Sequence, residues 1–111
     1  MAEDFKSYEA FWPYYVAEHR DPTCRRLHFI GTSIVIALAP NPLLWPLIPV
    51  AGYGFAWTGH FAFEKNRPAT FRHPLWSLRA DFRMWRKMLL GQMGPELARA
   101  DGLYPRQDPD A

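Results

Sequence analysis

Between Leu27 and Glu64 the chain contains no Asp, Glu, Lys or Arg, although charged residues make up 22% of its 111 positions. The formal charges lie before this stretch or after it, a segregation hidden by the mean hydropathy of -0.27. A single cysteine, Cys24, rules out an intramolecular disulfide, so nothing calls for an oxidising compartment, and Cys24 reads as a small buried hydrophobe. The first residues, Met1-Ala2-Glu3-Asp4-Phe5-Lys6-Ser7, lack the basic region followed by an apolar run that marks a signal peptide. There is no internal repeat. A net charge of +2 is too small to point to nucleic acid, and no nucleic-acid partner is expected.

What is present is aromatic and apolar. Eight Phe, five Trp and five Tyr are many for this length, and suit a chain that meets a membrane boundary. Phe5, Tyr8, Phe11, Trp12, Tyr15 and Val16 recur at spacings of three and four, which predicts a helix with an aromatic face, capped by Asp4 or Ser7. Pro13 lies inside it, so either two short helices or one kinked helix ends near His19. Asp21-Pro22 breaks this helix, and Asp21 or Thr23 caps the next.

The uncharged run from Phe29 to Phe63 spans 35 residues, against about 20 for one membrane-crossing helix. Two helices turning at Pro40-Asn41-Pro42 use it fully: one over about 25–39, the other interrupted early by Pro46 and Pro49. The expectation is a membrane hairpin that crosses the bilayer with tilt and thinning or enters only part of it, the alternative being a core hairpin in a soluble fold. Basic residues flank the run at Arg20, Arg25 and Arg26 and again at Lys65, Arg67 and Arg72, placing both ends, and both chain termini, on the cytoplasmic side. His73 or Ser77 then starts a last helix, with Pro74 at its first position, Leu75, Leu78, Phe82, Trp85 and Leu89 on one face and Arg79, Arg83, Arg86 and Lys87 elsewhere, as in a helix lying on an anionic membrane. From Gln92 the periodicity fades. The expected architecture is therefore all-α: an integral membrane domain over 1–91, with a central helical hairpin flanked by amphipathic, interfacial helices, and a mobile tail over 92–111.

Antiparallel packing of such a hairpin brings His28 and His60 to one end, with His19 just before it and His73 just after. Four neutral imidazoles there could hold a transition metal, with Fe, Zn, Mn, Cu and Ni all admissible. Glu64, four residues beyond His60, shares its helix face and could ligate or orient the His60 ring. Each residue also has an ordinary structural role open to it: His28 at an interface, His73 as a helix cap, Glu64 paired with Lys65 or an arginine.

Three separated blocks resemble the Mpo1-like family: His19 through Thr32, Gly52 through Phe61 with Glu64-Lys65-Asn66-Arg67-Pro68-Ala69, and His73-Pro74-Leu75-Trp76-Ser77 with Asp81-Phe82. The resemblance spans about 4–91 and is closest to a short, bacterial-looking branch. It implies a small membrane protein and, from the characterised yeast branch, an Fe(II)-dependent dioxygenase at the endoplasmic reticulum that shortens 2-hydroxy fatty acids by one carbon, using O2 and releasing CO2. A bacterial protein of this kind would sit in the inner membrane. The family's histidines fall on His19, His28 and His60, followed by Glu64 in a catalytic position, with His73 in a block typical of the short branch. Arg25, Arg26 or Arg72 could pair with a substrate carboxylate or serve as membrane flanks. The competing reading is a non-catalytic membrane protein whose histidines pack or bind lipid headgroups.

Overall fold

The computed structural model describes residues 5–66 and 72–105, and among them every regular element is helical. Helix α1 (Tyr8–Ala17) is capped by Ser7, whose hydroxyl accepts the Ala10 N–H at 3.1 Å, and runs through Pro13 unbroken. Asp21 caps α2 (Pro22–Leu38), its carboxylate accepting from the backbone of Thr23 and Cys24, with Pro22 at the first helical position where a missing N–H costs nothing. A turn at Pro40-Asn41 and a short 3-10 segment (Pro42–Leu44), capped by Asn41, lead into α3 (Leu47–Thr58), which continues as a π-helical turn (Gly59–Glu64). After His73 come α4 (Pro74–Leu89) and α5 (Met93–Leu103). The alternative cap Asp4, the connecting loop over 67–71 and the last residues 106–111 lie outside the described residues.

Helices α2 and α3 form the expected hairpin and make the most extensive helix pairing of the fold. Gly31 permits its close crossing: a Cβ there would stand 3.0 Å from the Ala51 carbonyl oxygen and 3.1 Å from the Phe55 Cβ. The hydrophobic core lies elsewhere. Phe11, Trp12, Tyr15 and Val16 of α1 are almost completely buried against Ala80 and Met84 of α4 and Met93 and Ala100 of α5. Helix α1 thus packs its aromatic residues into the rest of the fold and leaves Glu9 and Ala10 exposed.

Two expectations are corrected. No helix among the described residues is long and apolar enough to cross a membrane. At 1.5 Å per residue, the 17 residues of α2 and the 12 of α3 reach about 26 and 18 Å, short of a hydrocarbon layer about 30 Å thick. The mobile tail expected from 92 also fails over 93–103. There α5 docks on α1 through Met93, Leu97 and Ala100, and Glu96 accepts the Trp12 indole N–H at 2.8 Å.

Candidate metal centre

The chain leaves α1 through His19 and re-enters helix at Asp21, so His19 sits on a tight corner. The Arg25 guanidinium holds this corner, donating to the carbonyls of His19 (2.9 Å) and Arg20 (2.7 Å). His28 lies on α2 one turn after Cys24. His60 falls in the π turn, whose wider winding is frequent at functional sites. Gly59 lets that turn approach α2, since a Cβ there would meet the Cα of Cys24 at 3.1 Å and its Sγ at 3.0 Å.

These elements bring His19, His28 and His60 together. All three are buried, and one ring nitrogen from each lies within 4.8 Å of the others. Ring centroids are 4.4 Å apart for His19 and His28, 4.4 Å for His19 and His60 and 4.8 Å for His28 and His60, with every pair of rings nearly perpendicular. The surroundings set the tautomers. His19 Nδ1 faces the Tyr15 carbonyl at 2.6 Å and His28 Nδ1 faces the Cys24 carbonyl at 2.8 Å. Carbonyls only accept, so both Nδ1 atoms carry the proton. His60 Nδ1 faces Asn66 Oδ1 at 2.6 Å, and the Asn66 amide is oriented by its Nδ2, which donates to the Glu18 carbonyl (2.9 Å) and carboxylate (3.2 Å). His60 is thus protonated at Nδ1 as well.

Every Nε2 then bears a lone pair. His19 Nε2 and His28 Nε2 stand 3.1 Å apart with no proton between two acceptors. Burial, together with repulsion from His28 and His60, holds His19 well below the usual histidine range. Burial, with His60 beside it, takes His28 down to about 3, and burial lowers His60 against the opposing pull of Asn66. Three neutral imidazoles with converging lone pairs fit a transition-metal ion. Two nitrogens bound to one ion at about 2.1 Å sit roughly 2.9–3.4 Å apart, a window that includes the His19 to His28 distance. Cys24 Sγ is 3.7 Å from His28 Nδ1, on the side away from Nε2, and burial pushes its thiol up to about 12, so it contributes no thiolate.

The other sequence-predicted residues lie apart from this trio. His73 caps α4 and packs among Phe5, Phe11 and Trp76, its ring stacked on the indole. Proximity to the hairpin mouth along the chain does not turn its ring toward the other three. Glu64 accepts the Asp21 N–H at 2.5 Å and joins the π turn to the start of α2, while the His60 ring bonds to Asn66. Arg25 is engaged with the corner, and Arg26 and Arg72 are exposed on the surface. The sequence gives Asn66 and Asp81 a place in the resembling blocks but no role. Half-buried on α4, Asp81 accepts from the Tyr15 hydroxyl, and Tyr15 stacks on His19 with centroids 4.1 Å apart. Burial pushes the Asp81 carboxyl up to about 7, with the Tyr15 hydroxyl pulling the other way.

A cavity of about 250 Å³ opens from this centre. His28, Thr32 and Val35 form its α2 wall, Gly52 and Ala56 belong to its α3 wall, and Asp81 lies on the α4 side. Arg25, Arg26 and Arg72 do not line it.

Fold and centre together define an all-helical protein with an internal three-histidine site at the base of an apolar hairpin. The family profile described as 2-hydroxy-palmitic acid dioxygenase Mpo1-like matches residues 5–93, and the chain belongs to the Mpo1-like family. Comparison with curated proteins and with solved structures gives no match.

Proposed function

We propose that the protein is an Fe(II)-dependent dioxygenase that converts a 2-hydroxy fatty acid and O2 into the fatty acid one carbon shorter, CO2 and water. The C1–C2 bond breaks, C2 is oxidised to the new carboxyl, and O2 is the oxidant. The observation that carries this reading is the pair of unprotonated Nε2 atoms of His19 and His28 facing each other at 3.1 Å, an arrangement that a packing role would avoid. The family's printed description supplies the substrate class.

His19, His28 and His60 would hold the metal, which would supply O2 chemistry and a Lewis acid for the hydroxyl and carboxylate of the substrate. The chain's own contributions are specific. Burial keeps the imidazoles neutral, so protons do not compete for their Nε2 atoms. The carbonyls of Tyr15 and Cys24 and the amide oxygen of Asn66 fix the rings by accepting from Nδ1. Asp81, at the cavity wall with its carboxyl near neutrality, can hold or release a proton at Oδ1 or Oδ2 beside the substrate head.

The exposed apolar tip supports a membrane location. Leu43 is 87% exposed and Val50 69%, with Trp45 and Leu47 beside them, more contiguous apolar surface than a water-facing tip would carry. The hairpin would dip into the lipid from the cytoplasmic side, with both chain termini remaining there.

Protein purified anaerobically and supplied with Fe(II) should retain about one iron per chain, and the His28→Ala, His60→Ala double variant none. Wild type should consume O2 and release CO2 when 2-hydroxypalmitate is added. Equal iron in both proteins removes the metal centre, whereas iron without turnover removes the substrate assignment.

A further inference from the structure

The cavity beside the histidines is a slot with direction. His28, Thr32 and Val35 are spaced four and three apart, so they form one line along α2 that climbs from the histidine centre toward the hairpin turn. Seven residues of helix rise about 10 Å. On the antiparallel α3, Ala56 stands one turn before His60 and Gly52 a turn further up. Chemical character changes along the slot. At its lower end are His28 and Asp81, and the rest of the wall is apolar apart from Thr32 and Tyr53, with Val35, Ile48 and Pro49 above and Leu78 and Phe82 on the α4 side. Nothing cationic lines it. A ligand that fits has a short polar head and an unbranched apolar body.

We propose that this slot binds the acyl chain of the 2-hydroxy acid, its head at His28 and Asp81 and its methylenes running between α2 and α3, and that Val35 and Gly52 decide how long a chain is accepted. This rests on the dioxygenase reading for the identity of the head group. The slot's 10 Å of helix is shorter than a sixteen-carbon chain, so the far carbons of a long substrate emerge near Ile48 and Pro49, beside the exposed Leu47 and Val50. A long chain is thereby enclosed by protein only over its head and first methylenes.

Gly52 is the position at which the slot can be closed with least disturbance. A Cβ there meets only Val35 Cγ2, at 3.4 Å, an ordinary contact, whereas one at Gly31 would strike backbone atoms of α3. Side chains on a helix lean toward its N-terminus, so Val35→Phe reaches down toward the histidines while Gly52→Leu reaches up toward the turn. The two variants place plugs at different heights.

The test compares 2-hydroxyhexanoate with 2-hydroxypalmitate on Fe(II)-loaded wild type and both variants, with iron content measured in each as a check on fold and centre. Equilibrium binding of the two radiolabelled acids is measured in parallel under anaerobic conditions. With iron content unchanged, both variants should lose far less kcat/KM on 2-hydroxyhexanoate than on 2-hydroxypalmitate. Palmitate kcat/KM and binding should fall at least tenfold, Val35→Phe tolerating shorter chains than Gly52→Leu. Variants that treat both acids alike, or that retain palmitate, overturn the slot. If wild type binds palmitate but oxidises neither acid, and the plugs still abolish palmitate binding, the slot stands and the dioxygenase reading falls.

Discussion

The two halves of this molecule use apolar side chains in opposite ways. Where α1 meets α4 and α5, the aromatic residues are enclosed: Phe11 and Trp12 are 0% exposed and Tyr15 stacks on both Trp12 and His19. The α2–α3 hairpin holds the long uncharged run and yet turns Ile30, Leu43, Trp45, Leu47, Val50, Tyr53 and Phe61 outward. Hydrophobicity of a segment therefore does not say whether the protein itself buries it. In one half the aromatic groups of α1 hold the chain together, and in the other most large apolar groups stay exposed, as Leu75 and Leu89 of α4 also do. The three histidines sit at the seam, His19 at the end of α1 and the other two at the hairpin base.

This contrast can be broken most sharply by truncation. Trp12→Ala should destabilise the protein by about 3–5 kcal/mol in urea unfolding, because it removes a fully buried ring and the partner of Glu96. Val50→Ser, at a side chain that is already exposed, should stay within about 0.5 kcal/mol of wild type while weakening binding to lipid vesicles. Equal destabilisation by the two would mean that the hairpin is held like a core.

At the seam, Asn66→Ala should leave stability nearly intact and reduce iron affinity about 10–100-fold in a chelator competition, since His60 loses the acceptor that fixes its tautomer. Unchanged affinity would make Asn66 a loop-packing residue only.

The seam should also carry an acid sensitivity. His28 titrates at about 3 when folded, and His19 and His60 are also lowered, whereas unfolded histidine titrates at about 6.5. Between those values the unfolded chain binds more protons, so stability rises with pH, by up to about 1.4 kcal/mol per unit for each histidine. Asp81, raised to about 7, and Glu18, also raised by burial, act in the opposite sense, but they are two groups against three. The metal-free protein should lose urea resistance from pH 7 to pH 5, and His28→Gln should flatten that loss. A midpoint that rises toward pH 5 would reverse the assignment of neutral histidines.

The smallest expected effect lies just past the π turn. Lys65 holds a left-handed backbone at φ 66°, and Lys65→Gly should raise stability by about 0.4–1 kcal/mol, read from the unfolding midpoint, without altering iron content.

Much of this was legible in the sequence because helix starts and turns are encoded locally. Ser7, Asp21 and Pro74 occupy the positions their chemistry suits, and the break at Pro40-Asn41 divides the uncharged run as expected. The meeting of His28 and His60 followed from antiparallel pairing, and His19 was added by its place just before the hairpin. Helix α5 was missed although Met93, Leu97, Ala100 and Tyr104 keep a helical spacing, because Gly94, Pro95 and Gly102 between them read as breakers. His73 was misplaced because position along the chain fixes which end of a helix a residue occupies but not the direction its ring faces. Of the two forms expected for the hairpin, crossing the bilayer or entering part of it, crossing is the one overturned, because composition records apolar content while helix length depends on where Pro40, Pro42 and Pro46 interrupt the run.

The π turn at Gly59–Glu64 sets a phase. Its wider winding holds one more residue per turn than an α-helix would, and one residue is about 100° of helical rotation. The His60 carbonyl accepts the Asn66 N–H across this turn while the two side chains bond to each other, so the count of residues between them is part of the site. Phe61, Ala62 and Phe63 are exposed and can change identity at little cost to the histidine trio. Removing any one of them would rewind the turn and swing Asn66 out of register with His60, a segment tolerant of spelling and intolerant of length.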